Sequence, residues 1–219
     1  MLYANFNNDK ILATPGANGI CPSCGEPLRP KCGSIIIWHW AHVGDSGCTL
    51  AHEPETPWHL WWKSKFPKEW VEVPVGNHRA DVKTPSGIVI EFQHSGISSN
   101  QIEEREREYG KMLWVLDARD AYFNHQVEVM RSDYYLHIRT SRWRKAVKDF
   151  NRPVFLDIDG PWNMLHIRDF IQRKQTKAER FLGIEQLNWG YGGNYEDFIK
   201  TLNQGVRFPP WMATTKIKM

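Results

Sequence analysis

Two apolar runs separated by one helical segment constrain the fold of this chain more than any other feature. The first run, IVIEFQ, begins at Ile88, and the second, MLWVLD, begins at Met112. Between them, SSNQIEEREREYGK carries a capping-box pair, Ser98 with Gln101, and a glycine stop at Gly110. A helix that joins two strands of one sheet is a crossover connection, which makes the strands parallel. The sequence therefore predicts an α/β sheet domain.

The segment ahead of these strands predicts a helix followed by a hairpin. PWHLWWKSKF opens with Pro57, which suits a first helical turn. Its large aromatic residues recur at helical spacing: Trp58, Trp61, Trp62 and Phe66. EWVEVPV alternates like a strand, and two further strands are predicted at roughly 79–83 and 88–94. The predicted order is helix, three strands, helix, strand.

The C-terminal part of the sequence gives weaker signals. Strands are predicted at 134–140 and 153–158, much of 163–186 is predicted to be helical, and the tail is irregular with a short helix. We therefore divide the chain into a Cys-rich β module at 1–52, the sheet domain at 53–160, and a helical or irregular extension at 161–219.

The totals exclude some classes of protein. The chain has 219 residues, of which 41% are hydrophobic and 24% are charged, a globular composition rather than a disordered one. No apolar run approaches the roughly 18 residues of a membrane span, and the first residues lack a signal-peptide pattern. The expectation is a cytoplasmic protein that does not enter a membrane. The net charge of +3 is compatible with a nucleic-acid partner.

Polar residues end the predicted hairpin at a point where a buried strand avoids them. Glu91 and Gln93 share one face of the second strand because side chains alternate. A three-residue loop at 85–87, with Gly87 in the left-handed conformation, sets Asp81 opposite Glu91 on that face. A two-residue loop would put the two carboxylates on opposite faces. In the first register their Cβ atoms lie about 5 Å apart and favour a bound Mg²⁺ or Mn²⁺.

Further charged residues extend this hypothesis. Glu55, His59 and Lys63 recur at i, i+4 and i+8, on one face of the first helix, where they would complete a metal and phosphate site. The alternative for this row is a solvated helix face. Arg105 and Arg79 are candidate phosphate contacts, and the alternative for Arg105 is an exposed ion pair within EEREREY.

The four cysteines all lie in the first quarter of the chain, which favours metal over disulfides in a cytosolic protein. CPSCG is typical of a zinc knuckle. The predicted ligands are Cys21, Cys24, His42 and Cys48, and an alternative set replaces Cys48 with His39. Cys32 is interpreted as a bystander. Because no position is left for a substrate, the zinc is predicted to be structural, and a redox Cys-x-x-Cys is the weaker interpretation.

The motifs CPSCGEPL…HWAH…C…E…PWH…K, followed by ADV…IEFQHSGIS…ER…Y…WVL, carry a resemblance to a known family. Over roughly residues 1–117 the sequence resembles the competence protein CoiA-like family. Members of that family are predicted nucleases of the restriction-endonuclease-like PD-(D/E)XK class. The resemblance implies a zinc-ribbon-like N-terminal part and a restriction-endonuclease-like core with a mixed sheet. The residues that match its motifs are Cys21, Cys24, His39, His42, Cys48, Glu55, His59, Lys63, Asp81, Glu91, Gln93, Arg105 and Tyr109. Ala80 replaces the superfamily's proline, and Gln93 replaces its lysine.

Two functions follow as hypotheses. The first is a Mg²⁺- or Mn²⁺-dependent DNA endonuclease with a structural zinc, acting on single-stranded or duplex DNA in processing for recombination. A cut through both strands would call for a homodimer. The alternative is a non-catalytic, zinc-containing nucleic-acid-binding protein on the same fold. A pair of acids facing a phosphate favours the enzyme, since a binding module gains nothing from it.

Overall fold

A computed structural model describes residues 1–44, 47–48, 55–131, 136–140, 149–158, 164–171 and 180–186, with side chains at 1–44, 47–48, 55–127 and 149–158. The chain divides into two compact units, Met1–Pro85 and Ser86–Met219. Among the helices described, none has the length and apolar character that a membrane crossing requires. The three sequence modules, with boundaries at 52/53 and 160/161, stay a prediction.

The first unit opens with a five-stranded antiparallel sheet, as its β-rich sequence predicts. The strands are β1 (Tyr3–Phe6), β2 (Asp9–Leu12), β3 (Gly19–Ile20), β4 (Pro27–Lys31) and β5 (His39–His42), in the spatial order β2-β1-β3-β4-β5. A small apolar core forms around Trp40, which is 1% exposed. Gly19 lines this core, and a Cβ there would lie 2.5 Å from the Ala4 Cβ. Close packing therefore excludes any larger residue at this position.

A short helix and a hairpin complete the first unit. They comprise α1 (Pro57–Lys63), a single 3₁₀ turn (Lys68–Trp70), β6 (Val71–Val75) and β7 (His78–Lys83). Pro57 is the first residue of α1, as predicted, and Thr56 caps the helix. Trp58 and Trp62 are buried and meet edge to face with ring centroids 6.5 Å apart. This pair is the core-facing part of the predicted aromatic row, while Trp61 is half-buried and Phe66 lies beyond the end of α1.

The second unit is built on a mixed sheet. Its elements are β8 (Val89–Gln93), α2 (Ser99–Tyr109), β9 (Met112–Asp117), α3 (Arg119–Phe123), β10 (Val127–Arg131), β11 (Leu136–Thr140), β12 (Val154–Asp157), β13 (Met164–Ile171) and β14 (Arg180–Gln186). Within this unit the strand order is β10-β11-β14-β13-β12-β9-β8. β9 runs parallel to both β8 and β12, and the other neighbours are antiparallel. The crossover prediction is therefore confirmed.

Local signals set the ends of α2. The Ser98 side chain accepts from the Gln101 N–H, and the Gln101 side chain accepts from the Ser98 N–H. Gly110 ends the helix at φ 65°, a conformation that costs glycine little. Both ends agree with the predicted capping box and glycine stop.

The predicted helix over much of 163–186 is wrong where the structure describes it, because β13 and β14 form an antiparallel pair. The pairing register shifts between Ile167 and Asp169. A bulge of this kind breaks the two-residue alternation, and Met164, Ile167 and Ile171 recur at i, i+3 and i+7, a spacing that resembles a helix. Residues 172–179 and the predicted irregular tail at 187–219, with its short helix, lie outside the described residues.

The order α1, β6, β7, β8, α2, β9 follows the predicted series of helix, three strands, helix and strand. The strands predicted at 134–140 and 153–158 are present as β11 and β12, while α3 and β10 were not anticipated. The mixed α/β architecture is thus confirmed. The finer assignment, a restriction-endonuclease-like core, stays a prediction.

Candidate functional site

A buried lysine gathers three carboxylates in the first unit. Lys63, the last residue of α1, is 3% exposed. Its Nζ lies 2.6 Å from Glu55 Oε1, 3.0 Å from Asp81 Oδ1 and 3.3 Å from Glu72 Oε1. The solvated-face alternative for this row is therefore wrong. The predicted helical position of Glu55 is also wrong, because Glu55 precedes Thr56, the N-cap of α1. Three of the predicted site residues, Glu55, Lys63 and Asp81, therefore lie together. We call these three residues and Glu72 the Lys63 cluster.

Glu72 is the member of this cluster that the sequence analysis missed. It is 1% exposed and has φ 53°, in the left-handed region that favours glycine. Its Oε2 accepts from the backbone N–H groups of Leu2 at 2.8 Å and Tyr3 at 3.2 Å. With Lys63 on its other oxygen, the Glu72 carboxylate links β1 to the end of α1.

A signal for Glu72 was present in the sequence. Gly76 and Asn77 form a two-residue loop between β6 and β7, which fixes the register of the hairpin. Because Val71 pairs with Val82 and Val73 pairs with Ala80, Glu72 stands across from Asp81. The alternation of EWVEVPV predicts a strand but does not by itself single out Glu72.

Burial and charge set the protonation of the Lys63 cluster. Burial disfavours the Lys63 ammonium, but the carboxylates of Asp81, Glu72 and Glu55 outweigh it and raise the pKa of Lys63. Burial likewise opposes ionisation of Glu72, yet Lys63 and Arg79 hold the pKa of Glu72 well below its usual range. For Glu55, burial dominates and raises the pKa to about 7. Glu55 therefore changes charge near neutral pH.

His59 holds the start of α1. Its ring is 7% exposed, and its Nδ1 lies 2.9 Å from the Thr56 hydroxyl and accepts from the Thr56 N–H at 3.4 Å. The Thr56 hydroxyl in turn accepts from the His59 N–H at 3.3 Å. A histidine thus takes the place that glutamate or glutamine takes in an ordinary capping box. The predicted assisting role of His59 in catalysis stays a prediction.

Of the other predicted site residues, Glu91, Gln93 and Arg105 lie in the second unit, and Arg79 lies on β7 of the first. Glu91 on β8 is 3% exposed, and its Oε2 accepts from the Arg105 guanidinium at 3.0 Å. Gln93 is fully buried and donates to the Ser95 carbonyl at 3.2 Å. Gly87 has φ 79°, so its predicted left-handed conformation is confirmed. The predicted placement of Asp81 opposite Glu91 stays a prediction, as do the phosphate contacts of Arg105 and Arg79.

The zinc ligands predicted from the sequence come together. The ligand atoms of Cys21, Cys24, His42 and Cys48 all lie within 4.8 Å of one another. Cys24 Sγ lies 3.3 Å from His42 Nε2. The alternative ligand His39 is three residues before His42 on β5, so it points to the opposite face, and its Nδ1–H donates to the Ile37 carbonyl at 2.8 Å. His39 is therefore not part of this cluster, whose fourth member is Cys48, and the role of these four residues as zinc ligands stays a prediction.

We call Cys21, Cys24, His42 and Cys48 the zinc cluster, and their donor atoms suit a zinc ion. Three thiolates and one imidazole are the donors that tetrahedral zinc takes in structural sites, with metal–ligand bonds of about 2.0–2.3 Å. Ligand atoms in such a site lie roughly 3.3–3.8 Å apart, which agrees with the compact spread of these four side chains. The residues fit zinc, and the four protein ligands leave no position for a substrate.

Two family models match the chain. One, described as the N-terminal domain of competence protein CoiA, matches residues 5–51. The other, described as the nuclease-like domain of competence protein CoiA, matches residues 61–145. Together they cover more than half of the sequence. Neither the search of curated proteins nor the search of solved structures gave a match. The N-terminal match contains all four zinc-cluster residues, and the nuclease-like match contains Lys63, Glu72, Asp81 and Glu91.

Proposed function

Because the chain belongs to the CoiA family of competence proteins, we propose that it is a metal-dependent endonuclease that hydrolyses phosphodiester bonds of DNA. The observation that supports this most is the Lys63 cluster. Glu55 and Asp81 lie within hydrogen-bonding distance of Lys63, and the segment that the nuclease-like model matches contains Lys63 and Asp81. The setting that the family name indicates is the processing of DNA for recombination.

Carboxylate oxygens are the ligands that Mg²⁺ and Mn²⁺ prefer, so the acidic residues fit such an ion. We assign Asp81 and Glu91 as the ligands, with Glu55 beside Asp81. When bound, the ion supplies charge that polarises the scissile phosphate and stabilises the negative charge developing on it.

The chain's own residues then have distinct roles. Lys63 stays charged and contacts a phosphate oxygen, while Glu72 holds its ammonium in place. Glu55, with a pKa near 7, accepts a proton from the attacking water. Gln93 orients that water. The water oxygen bonds to phosphorus as the bond from phosphorus to the leaving sugar oxygen breaks.

Binding and positioning are assigned to the remaining residues. Arg105 and Arg79 contact backbone phosphates, and such contacts position DNA without reading its sequence. His59 acts through the start of α1, which it caps. Cleavage of both strands by one site per chain calls for a homodimer.

A second candidate function is favoured by one specific observation. Each proposed metal ligand already has a cation at hydrogen-bonding distance, Lys63 for Asp81 and Arg105 for Glu91. Paired in this way, the carboxylates are compatible with a fold that binds nucleic acid without cutting it. The alternative is therefore a non-catalytic, zinc-containing DNA-binding protein.

The deciding experiment is a cleavage assay on labelled single-stranded and duplex DNA with Mg²⁺ or Mn²⁺. Ca²⁺ replaces these ions in the negative control, because a chelator would also remove zinc. We expect Glu91→Ala to lower the cleavage rate by at least about 100-fold. The matched control is Glu103→Ala, which removes an exposed carboxylate from α2 and should cleave like the wild type.

The outcomes separate the two functions. Metal-dependent cleavage that Glu91→Ala abolishes supports the endonuclease and shows which form of DNA it prefers. If the wild-type protein binds both DNAs but cuts neither with any of these ions, and Glu91→Ala binds equally well, the non-catalytic alternative replaces it.

A further inference from the structure

The segment that joins β4 to β5 exposes three large apolar side chains side by side. Ile35 is 96% exposed, Ile36 is 68% exposed and Trp38 is 46% exposed, and we call these three residues the apolar tip. Single exposed apolar residues are ordinary on protein surfaces. Adjacent ones at the end of a hairpin instead mark a surface that meets a partner.

The apolar tip is held in shape rather than left loose. The Trp38 indole N–H donates to the Gly33 carbonyl at 3.0 Å, which closes the joining segment on itself. The His39 Nδ1–H donates to the Ile37 carbonyl at 2.8 Å. At its far end β5 carries His42 of the zinc cluster. A rigid tip loses little conformational entropy when a partner covers it.

Positive charge flanks the apolar tip. Arg29 and Lys31 are exposed, and they project from the face of β4 opposite to buried Leu28. Residues 27–42 contain no aspartate or glutamate, so the hairpin carries cations only. Two cations beside an apolar tip complement a ligand that has phosphates next to apolar, stackable surfaces.

We propose that the β4–β5 hairpin is a binding surface for single-stranded DNA, with Arg29 and Lys31 on the phosphates and the apolar tip against unstacked bases. Bases of a single strand expose their faces, and an indole ring stacks on them regardless of sequence. Aliphatic side chains such as those of Ile35 and Ile36 also bury apolar surface against exposed base faces. In an intact duplex these base faces are covered.

This inference rests on the proposed function for its ligand, since the nuclease-like domain directs the choice to DNA. It also goes further, because it assigns the zinc-containing part of the chain a preference for single strands. The tip would favour cleavage where strands are already separated.

The test measures fluorescence anisotropy of labelled oligo-dT and of a duplex of equal length, in Ca²⁺ so that neither is cut. We expect Ile35→Ser/Ile36→Ser to weaken oligo-dT binding about tenfold, with little change for the duplex. Phe123→Ser is the matched control, since Phe123 is 82% exposed in the second unit. Arg29→Ser/Lys31→Ser should instead lower the dependence of binding on salt concentration.

Vesicles of phosphatidylcholine and phosphatidylglycerol form the second arm, because an apolar tip with flanking cations also suits an anionic bilayer. Oligo-dT binding that stays unchanged in Ile35→Ser/Ile36→Ser overturns the proposal, whether or not the variant loses binding to vesicles. The cleavage assay keeps the two proposals apart. If the wild-type protein cuts DNA and this variant binds oligo-dT normally, the nuclease proposal stands and the tip proposal falls. If the wild-type protein cuts nothing and the variant loses oligo-dT binding, the tip proposal stands and the nuclease proposal falls.

Discussion

The zinc cluster and the Lys63 cluster each bring four side chains together in the first unit, but they balance charge in opposite ways. Cys21, Cys24, His42 and Cys48 provide donors and no cation. The Lys63 cluster supplies its own cation, a buried ammonium between three carboxylates. The first arrangement is complete only with a metal ion, while the second is held together by the chain itself.

This difference separates a candidate structural metal site from a candidate catalytic one. Zinc bound by four protein groups has no reason to leave. An ion that binds Asp81 has to compete with Lys63, which lies 3.0 Å from that carboxylate. Such competition suits a site where an ion arrives and the lysine then turns to another anion, such as a phosphate.

Removing a zinc ligand is expected to have the largest effect. Cys24→Ser takes one thiolate from the cluster, so zinc binding and the stability coupled to it should be lost, at a cost of more than about 5 kcal/mol to the N-terminal sheet. Zinc content by mass spectrometry and urea unfolding measure this. Cys32→Ser, a thiol outside the cluster, should keep its zinc, and equal zinc loss in both variants would contradict the assigned ligands.

Replacing Lys63, the cation of the Lys63 cluster, is expected to have the second-largest effect on stability. Lys63→Met leaves buried Glu72 and the half-buried Glu55 and Asp81 without their ammonium, which should lower the unfolding free energy by about 3–5 kcal/mol at neutral pH. Lys65→Met serves as its control on the same segment, because Lys65 lies over the Trp61 ring at 4.6 Å. That change should cost only about 0.5–1 kcal/mol. Equal costs for the two lysines would show that the cluster contributes nothing special.

The pH dependence of stability sharpens the comparison further. The folded pKa of Glu55 is about 7 against an ordinary value of 4.5, so the folded state binds more protons between these values. The unfolding free energy should therefore fall as pH rises from 4.5 to 7, by up to about 3 kcal/mol from this group. Glu55→Gln should flatten that part of the urea-unfolding profile. If the unfolding free energy of Glu55→Gln falls as steeply with pH as that of the control Glu103→Gln, the result would count against the burial of Glu55.

The smallest effect is expected where the same chemistry lies at the surface. Lys68 Nζ contacts both carboxylate oxygens of Asp9, at 2.7 and 2.8 Å, but both side chains are well exposed. Water screens such a pair, so Lys68→Met should leave the midpoint of urea unfolding where it is. A clear shift would mean that burial is not what distinguishes the Lys63 cluster.

Local signals explain why parts of the fold could be predicted from the sequence. The capping box at Ser98 and the stop at Gly110 set the ends of α2 by hydrogen bonds within a few residues. β13 and β14 could not be predicted in this way, since their pairing joins distant residues and the bulge after Ile167 disguises the strand period. Local patterns do not report such pairing.

The zinc cluster and the Lys63 cluster likewise differ in how far local sequence signals predict them. Cysteine and histidine are rare and their knuckle spacing is local, so the zinc ligands could be predicted, and strand direction then decided between Cys48 and His39. Carboxylates and lysines are common, and their burial depends on packing. Glu72 therefore became apparent only when the β6–β7 register placed it across from Asp81.

The hydrogen bonds from Leu2 and Tyr3 to Glu72 have a consequence for the order of folding. They join residues 70 and 69 positions apart, and closing so long a loop costs chain entropy before any contact is gained. During synthesis β1 leaves the ribosome well ahead of β6, so these two amides stay hydrated until Glu72 emerges. The Lys63 cluster should consequently be assembled late, after the hairpin that carries Glu72 and Asp81 has formed.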